Sequence, residues 1–305
     1  MTKTKGKNRT KILPRWQLYL MIVPALLYVI LFNYKPMYGL IIAFKDYSFK
    51  KGVLGSPWVG LEQFEKLFSS FWFPIILKNT LTLSVLALIL GFPASVIIAL
   101  ILNEVKNNRA RKSIQTVLFA PHFISIVVVC GMLTLFLSPS SGIVNKFIEM
   151  LGGEPIFFMQ ESGAFKWIYV LSGIWQEAGW GSIIYFAALA SVDKEILEAA
   201  EMDGASRFQR ILHVNLPALI PTMVIVFILN CGSLLGIGYE KVYLLQNDSN
   251  LMASEIISTY VYKVGLENNS YSFSTAVGLF NSVINCIILV AANFISRKAG
   301  ETSLW

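Results

Sequence analysis

Charged residues are scarce in this chain. Only 14% of its 305 residues are Asp, Glu, Lys or Arg, whereas 55% are apolar. A soluble globule of this size needs more polar side chains than that to cover its surface. The composition therefore excludes an ordinary soluble domain and indicates a protein whose solvent is the lipid bilayer.

Cysteine and histidine are also rare: the sequence has Cys130, Cys231, Cys286, His122 and His213. The cysteines fall inside apolar runs, which predicts small core residues and no disulfide framework. Neither zinc-ligand spacing nor a His pair on one helix face occurs, so we expect no metal site and no catalytic residue, which disfavours a membrane-embedded enzyme. For His122, a hydrogen-bonded buried imidazole is favoured over a ligand.

The chain has no GxxxxGK[ST] pattern, the loop that binds nucleoside triphosphates. ATP-driven work would therefore need an ATPase on a separate chain. An ion-driven secondary transporter, the alternative class, uses paired charges near the midplane of the membrane. Glu177 alone gives that alternative little support.

The chain does have six long apolar runs, and each is long enough for a spanning helix, which needs ~20 residues. They cover residues 16–34 with an extension to 44, 75–102, 114–137, 166–190, 217–238 and 275–296. We predict an all-α membrane protein with six transmembrane helices. Its domains are a basic arm at 1–15, a membrane domain at 16–298 and a tail at 299–305.

In the first and fifth predicted spans, proline or glycine bears on where the helix ends. The first run is too long for a signal peptide, and Lys35-Pro36 inside it predicts a kink or an end near Tyr34. In the fifth, Gly232, Gly236 and Gly238 permit either close helix packing or a break in the helix. The sequence leaves these two possibilities open.

Basic residues fix the orientation. With the N-terminus inside, they concentrate in the inner segments at 3–15, 106–112, 194–210 and 297–298. The longer outer segments carry Lys45, Lys50, Lys51, Lys66, Lys146, Lys241 and Lys263. The positive-inside rule then places both termini in the cytoplasm. This bias accounts for the net charge of +7, and we see no case for nucleic-acid binding.

One inner segment, residues 191–217, is unusually polar. Asp193 can cap a helix over KEILEAAEM, and Asp203-Gly204 can end it with a left-handed residue. Ser206 and Gln209 have the spacing of a capping box that starts a second helix. An amphipathic connector lying on lipid headgroups is the alternative, but the acidic residues at 193–203 suit an anionic inner leaflet badly.

The surface of this segment suits a protein partner. Its small residues Ala199, Ala200 and Ala205 permit close approach, and Glu198 and Glu201 offer carboxylates to basic side chains. Docking of a partner is therefore the favoured interpretation.

The same residues resemble a family signature. Glu198-Ala199-Ala200, Gly204 and Leu216-Pro217 closely match the EAA motif of ABC importer permeases, EAA, x3, G, x9, I, x, LP. Val214 stands where isoleucine is usual, and Asp193 where the sugar branch often has proline. KNTL at 78–81, SGIVN at 141–145 and YKPMYGLIIAFKDY at 34–47 are similar to permeases of polysaccharide and complex-oligosaccharide importers. The resemblance covers most of the chain from about residue 16.

The resemblance implies a type I ABC importer permease fold in the cell membrane of a bacterium. It implies a second homologous permease, two copies of a cytoplasmic ATPase that binds ATP and Mg, and an extracytoplasmic binding protein. Residues 191–217 would form the coupling helices. Glu198 would pair with the ATPase, Gly204 would set the bend and Asp203 would brace it.

Polar and aromatic residues at similar predicted depth suggest a substrate path. They are Trp175, Gln176, Glu177, Trp180, Asn230, Asn281 and Asn285. Aromatic faces and amides suit a saccharide, although asparagine also joins spans and tryptophan also fills space. An anionic solute should draw Lys or Arg to the path, and these residues are neutral or acidic. An oligosaccharide is therefore expected, with a peptide, amino acid or phosphate ester as the alternative.

Overall fold

The computed structural model describes residues 16–298, 300 and 302–305. The predicted basic arm, residues 1–15, lies outside the described residues, and so do residues 299 and 301 of the predicted tail. The described part of the chain is mostly helical. Its extended pairing consists of one isolated bridge between Lys45 and Trp58.

The α-helices are numbered in the order in which they follow along the chain. They are α1 (Trp16–Val29), α2 (Glu62–Ser69), α3 (Trp72–Glu104), α4 (Asn108–Phe119), α5 (Ile126–Phe136), α6 (Ile143–Met150), α7 (Ser162–Leu189), α8 (Lys194–Met202), α9 (Arg207–Arg210), α10 (Leu216–Gly232), α11 (Tyr239–Leu245), α12 (Ile257–Tyr262) and α13 (Tyr271–Lys298). Single turns of helix at Gly52–Gly55 and Leu251–Ser254 complete the outer segments.

Four helical stretches in the described residues are long and apolar enough to cross a membrane: Tyr19–Phe44, α3, Arg207–Gly232 and α13. A fifth candidate is the pair Asn108–Phe123 and α5. The helix α7 occupies the fourth predicted span and has 28 residues, but Lys166, Gln176 and Glu177 make it more polar. The count of six spans therefore stays a prediction.

The first predicted span does not end near Tyr34. A π turn at Ile30–Tyr34 leads through Lys35–Met37 into a 3-10 helix, Tyr38–Phe44. The amide of Lys35 donates to the carbonyl of Ile30, five residues back, directly before Pro36. A proline lacks its own amide and crowds the carbonyl four residues earlier, and the wider π turn accommodates both effects.

A π turn also precedes Pro217. The π turn Ile211–Asn215 joins α9 to α10, and the amide of Leu216 donates to the carbonyl of Ile211. The helical path from Arg207 to Gly232 is therefore continuous.

Two other predicted spans are corrected. The third, predicted as one helix at 114–137, is bent by 95° between Phe123 and Ile126. The fifth ends at Gly232 instead of residue 238, and a turn at 233–235 follows. Gly232 also packs closely, since a Cβ there would lie 2.8 Å from a methyl carbon of Leu289. Both possibilities that its sequence left open are thus realised.

The long helix α3 takes part in three buried apolar clusters. Near its start, Ile76 packs with Leu67, Ile257, Phe273 and Val277. Further along, Leu83 packs with Cys130, Phe165, Val242, Leu245 and Ile256. Near its end, Val96, Ala99 and Leu100 pack with Tyr185, Leu189 and Leu219. The core of the bundle is therefore built around α3 and α7.

The first helical stretch stands apart from this core. Residues 19–38 are exposed in the isolated chain. The following 3-10 helix, Tyr38–Phe44, packs against α13. Cys130 and Cys231 are buried, as predicted for small core residues. The prediction is wrong for Cys286, which is exposed because it lies on a face of α13 that no other part of the described chain covers.

Side-chain amides of two asparagines hold the predicted outer segments in place. Asn145 of SGIVN donates to the carbonyls of Ser138 and Ile156 and accepts from the amide of Ile156. Asn79 of KNTL donates to the carbonyls of Met252 and Glu255 at 2.9 Å each. These motifs therefore act as anchors for long loops.

Gly179 marks the closest crossing of α7 and α4, because a Cβ at this position would lie 2.0 Å from the carbonyl oxygen of Leu118. We expect Gly179→Ala to force these helices apart and to destabilise the protein by about 1–3 kcal/mol. The measurement is the midpoint of thermal unfolding in detergent. Gly131→Ala is the matched control, since nothing lies within 4 Å of that position, and an equal midpoint for both variants would contradict the packing argument.

Candidate functional site

A cavity of about 990 Å³ opens between α3, α7, α10 and the start of α11. Its wall combines apolar side chains with a few polar ones. The predicted path residues Gln176, Glu177, Trp180 and Asn230 all line it. Wide cavities with few polar groups are typical of ligand sites.

Trp175 lies elsewhere. It lines a second, almost wholly apolar cavity of about 530 Å³ between α5, α6 and α7. Neighbouring positions on a helix point about 100° apart, so Trp175 and Gln176 face different surroundings although they are at equal depth.

Three side chains of α7 contact the bend in the third predicted span. The amide of Gln176, whose side chain is buried, donates to the carbonyl of Ile124 at 3.0 Å. Glu177 lies 2.9 Å from Nδ1 of His122. The indole of Trp180 stacks on the His122 ring with centroids 4.5 Å apart and 2° between the planes. The residues predicted for a path therefore also build a joint.

His122 is only partly buried, with 30% of its side chain exposed, so the expectation of a buried imidazole is corrected. The reason is the bend, which puts its residue in the 3-10 helix Ala120–Phe123 rather than inside a straight span. Phe119 and Phe123 meet the indole of Trp180 edge-on, which completes an aromatic cluster at the joint.

The two asparagines of α13 occupy a different place. Asn285 Oδ1 accepts from the amide of Leu235 at 2.9 Å, in the turn where α10 has ended. Ser84 of α3 donates its hydroxyl to the carbonyl of Leu234 in the same turn. Asn281 has a buried Oδ1 without a hydrogen-bond partner in the described structure. Asn285 therefore stabilises an interrupted backbone.

Lys241 is the cavity residue that sequence reasoning missed. The sequence predicts Lys241 in an outer segment. In the structure α11 folds back, so Lys241 lines the cavity together with Tyr239 and Glu240. Its side chain donates to the carbonyl of Tyr169 at 2.9 Å. Burial lowers the pKa of Lys241 to about 8, so the ammonium form predominates at neutral pH. The signal in the sequence was its position three residues after Gly238, close to a glycine-rich interruption.

The polar loop has the local structure that its sequence predicts. Asp193 Oδ1 accepts from the amide of Glu195 and caps α8. Gly204 has φ of +80°, and the amides of Gly204 and Ala205 donate to the carbonyls of Glu201 and Ala200. These bonds form the Schellman motif that ends a helix. The capping box between Ser206 and Gln209 is complete.

The two helices of this loop are joined by an ion pair. Arg210 of α9 lies 3.1 Å from Glu201 of α8, so Glu201 has an internal partner. Glu198 and Ala199 are exposed, and Ala200, Asp203, Gly204 and Ala205 line a small depression of about 310 Å³ at the bend. Met202 and Phe208 are 88% and 71% exposed, so both helices of the loop carry an exposed apolar side chain. Leu216 and Pro217 begin α10.

Residues 91–301 match the model of a protein family described as "Binding-protein-dependent transport system inner membrane component". The match covers more than half of the chain. The protein belongs to this family. The loop with the EAA signature lies inside the matched region, and so do the cavity residues from Gly91 onward; Ser84, Ala87 and Leu88 precede it.

Individual relatives cover nearly the whole chain. Protein LplB of Bacillus subtilis (strain 168) is 44% identical over 307 residues, covering 100% of this chain and 96% of LplB. The polygalacturonan/rhamnogalacturonan transport system permease protein YteP of the same organism is 43% identical, with 97% and 92% covered. The resemblance to polysaccharide permeases is confirmed at the level of the family and of these relatives.

A solved structure agrees. The chain matches a chain of the bacterial alginate ABC transporter in complex with alginate pentasaccharide-bound periplasmic protein. The TM-score is 0.87 at 40% identity, and the match covers 95% of this permease and 96% of that chain. The bent and interrupted helices therefore belong to a known permease architecture.

The contact of Gln176 with Ile124 can be tested by Gln176→Leu. The variant leaves the carbonyl at the bend without its donor, and we expect a loss of about 1–3 kcal/mol in stability. Thermal unfolding of the purified permease in detergent measures it. Gln160→Leu, at an exposed position, is the control and should unfold at the wild-type temperature. Equal midpoints for both variants would show that the bend does not need Gln176.

Proposed function

We propose that this permease forms part of the membrane path of an ATP-driven importer for oligosaccharides or polysaccharide fragments. The observation that carries the proposal is the 990 Å³ cavity, where an indole, amides and a carboxylate line one space. Sugars present apolar C–H faces and many hydroxyls, and this mixture of side chains matches both. The names of YteP and of the alginate transporter support the same class of solute.

The proposal includes six membrane crossings with both termini in the cytoplasm. Its fourth span is α7, whose polar residues face the cavity and the bend rather than lipid. Its third span is the bent pair of α4 and α5. The uneven distribution of basic residues supports this orientation.

The proposed assembly pairs the chain with a second, homologous permease, two copies of a cytoplasmic ATPase and an extracytoplasmic binding protein. ATP and Mg would be bound by the ATPase, and the permease itself would catalyse no reaction. The periplasmic protein in the alginate transporter structure supports a binding protein. The exposed Glu198 and Met202 of α8 and the exposed Phe208 of α9 suit a protein that docks at these two helices.

The coupling role can be tested with two variants in the loop. Glu198→Gln removes the exposed carboxylate, and we expect sugar-stimulated ATP hydrolysis to fall about tenfold, the value of a charged hydrogen bond. Gly204→Ala places a side chain at φ of +80°, which strains the bend by about 1–2 kcal/mol, and should lower the same rate. The measurement is ATP hydrolysis by the complete complex in proteoliposomes, with binding protein and oligosaccharide present.

The controls for the loop are Glu195→Gln in the same helix and Gly163→Ala, where nothing lies within 4 Å of the added carbon. Both should leave hydrolysis within about twofold of wild type. Normal coupling in Glu198→Gln would contradict the docking role. Uptake that proceeds without any ATPase would favour the ion-driven alternative.

The path can be tested with two tryptophans of one helix. Trp180 lines the large cavity and Trp175 lines the separate apolar one. We expect Trp180→Ala to reduce oligosaccharide uptake by about tenfold, because an aromatic face for the sugar is lost. Trp175→Ala should transport within about twofold of wild type. Uptake in proteoliposomes is measured for both, with the unfolding temperature as a check, and equal losses would argue against this cavity as the path.

A further inference from the structure

Lys241 is a buried cation that faces the cavity. Its residue is 8% exposed, and its ammonium lies 4.9 Å from the centre of the Tyr169 ring and 2.9 Å from the Tyr169 carbonyl oxygen. Gly173 gives it room, since a Cβ at that position would lie 3.3 Å from Nζ. The ammonium is therefore held in one place by α7, with further N–H groups left to donate.

Lys263, a partly buried lysine of the outer segment, has a counter-charge. Lys263 lies 2.6 Å from the carboxylate of Glu255 and also donates to Gln246. Within the described residues, Lys241 has no carboxylate within the 4.0 Å of an ion pair. Lys45 is also buried and donates to the carbonyls of Val53 and Leu54, but it does not line the cavity. Burying a charge without a close counter-charge is costly, and an anion in the cavity would offset that cost at Lys241.

The other charged side chains that line the cavity are carboxylates, and each contacts another residue or is exposed to solvent. Among the residues that line it, Lys241 is the cation, and the carboxylates are Glu177 and Glu240. Glu177 lies 2.9 Å from Nδ1 of His122 and is near enough to Lys241 to raise its pKa, and Glu240 is exposed to water. A carboxylate that enters the cavity therefore meets one cation among the lining residues, the ammonium of Lys241.

We propose that Lys241 binds the carboxylate of a uronic acid residue and makes the cavity selective for acidic saccharides. This proposal rests on the proposed function and narrows its solute class. Tyr239, on the same short helix, stacks on Tyr262 with centroids 5.1 Å apart, so an aromatic ring lines the same cavity as the charge. The relatives that are named for polygalacturonan and alginate handle polymers of uronic acids.

The test uses the complete importer in proteoliposomes with its binding protein. The probes are trisaccharides of galacturonate and of alginate, each as the free acid and as the methyl ester, and neutral arabinotriose. Lys241→Met should reduce uptake of the free acid at least about tenfold, the effect of losing a charged hydrogen bond, and leave ester uptake within about twofold. Lys241→Arg keeps the charge and should retain most of the acid uptake.

Lys146→Met is the matched control, since it removes the same charge from an exposed outer position. It should transport every probe like wild type. Wild-type transport of arabinotriose without the acids, or unchanged acid uptake in Lys241→Met, would overturn the inference and leave the proposed function standing. Equal loss of acid and ester in Lys241→Met that Lys241→Arg does not restore would also overturn it. Failure of wild type with every sugar would instead refute the proposed function.

A second measurement needs no variant. The purified permease pair with its ATPase, without the binding protein, is titrated calorimetrically with each free acid and its ester. Affinity for an acid at least about tenfold above that for its ester is expected. Equal or undetectable affinities for acid and ester in wild type would overturn the inference even if each Lys241 variant failed to assemble.

Discussion

A backbone group released from a helix inside a bilayer finds no water to bind, and the rest of this structure follows from that constraint. Before Pro36 and Pro217, the chain widens into π turns that keep amides and carbonyls paired within the helix. At the bend of the third predicted span, Gln176 supplies the missing donor for Ile124. Beyond the end of α10, the side chains of Asn285 and Ser84 form hydrogen bonds with the backbone of the turn at 233–235.

These interruptions also create the cavity. Because α10 stops at Gly232, the following residues can return into the bundle, and α11 brings Lys241 against α7. Irregular backbone at this depth is tolerated where it is buried in protein or lines a polar space. The polar residues around the cavity consequently have two roles. Gln176, Asn285 and Lys241 form hydrogen bonds with backbone groups, and Gln176, Asn230 and Lys241 line the cavity.

The parts of the structure governed by local chemistry could be predicted from sequence. The cap at Asp193, the left-handed Gly204 and the box at Ser206 each depend on residues within one or two turns, and the structure has them all. The face of a helix that a residue occupies depends on distant neighbours. Apolarity on every side of a span hides that face, so Trp175 could not be separated from Trp180. Lys241 was missed because a fold-back after an interrupted helix leaves no periodic pattern.

The loop and the cavity are connected by one continuous helical path. From Arg207 to Gly232 the path is helical for 26 residues, which corresponds to about 39 Å along its axis. The π turn before Pro217 matters here, because a true break at that proline would have uncoupled α9 from α10. At its N-terminal end, Arg210 forms an ion pair with Glu201 of α8. At its C-terminal end, the turn after Gly232 is hydrogen-bonded to α3 and α13, so a displacement of α9 would move the cavity wall itself.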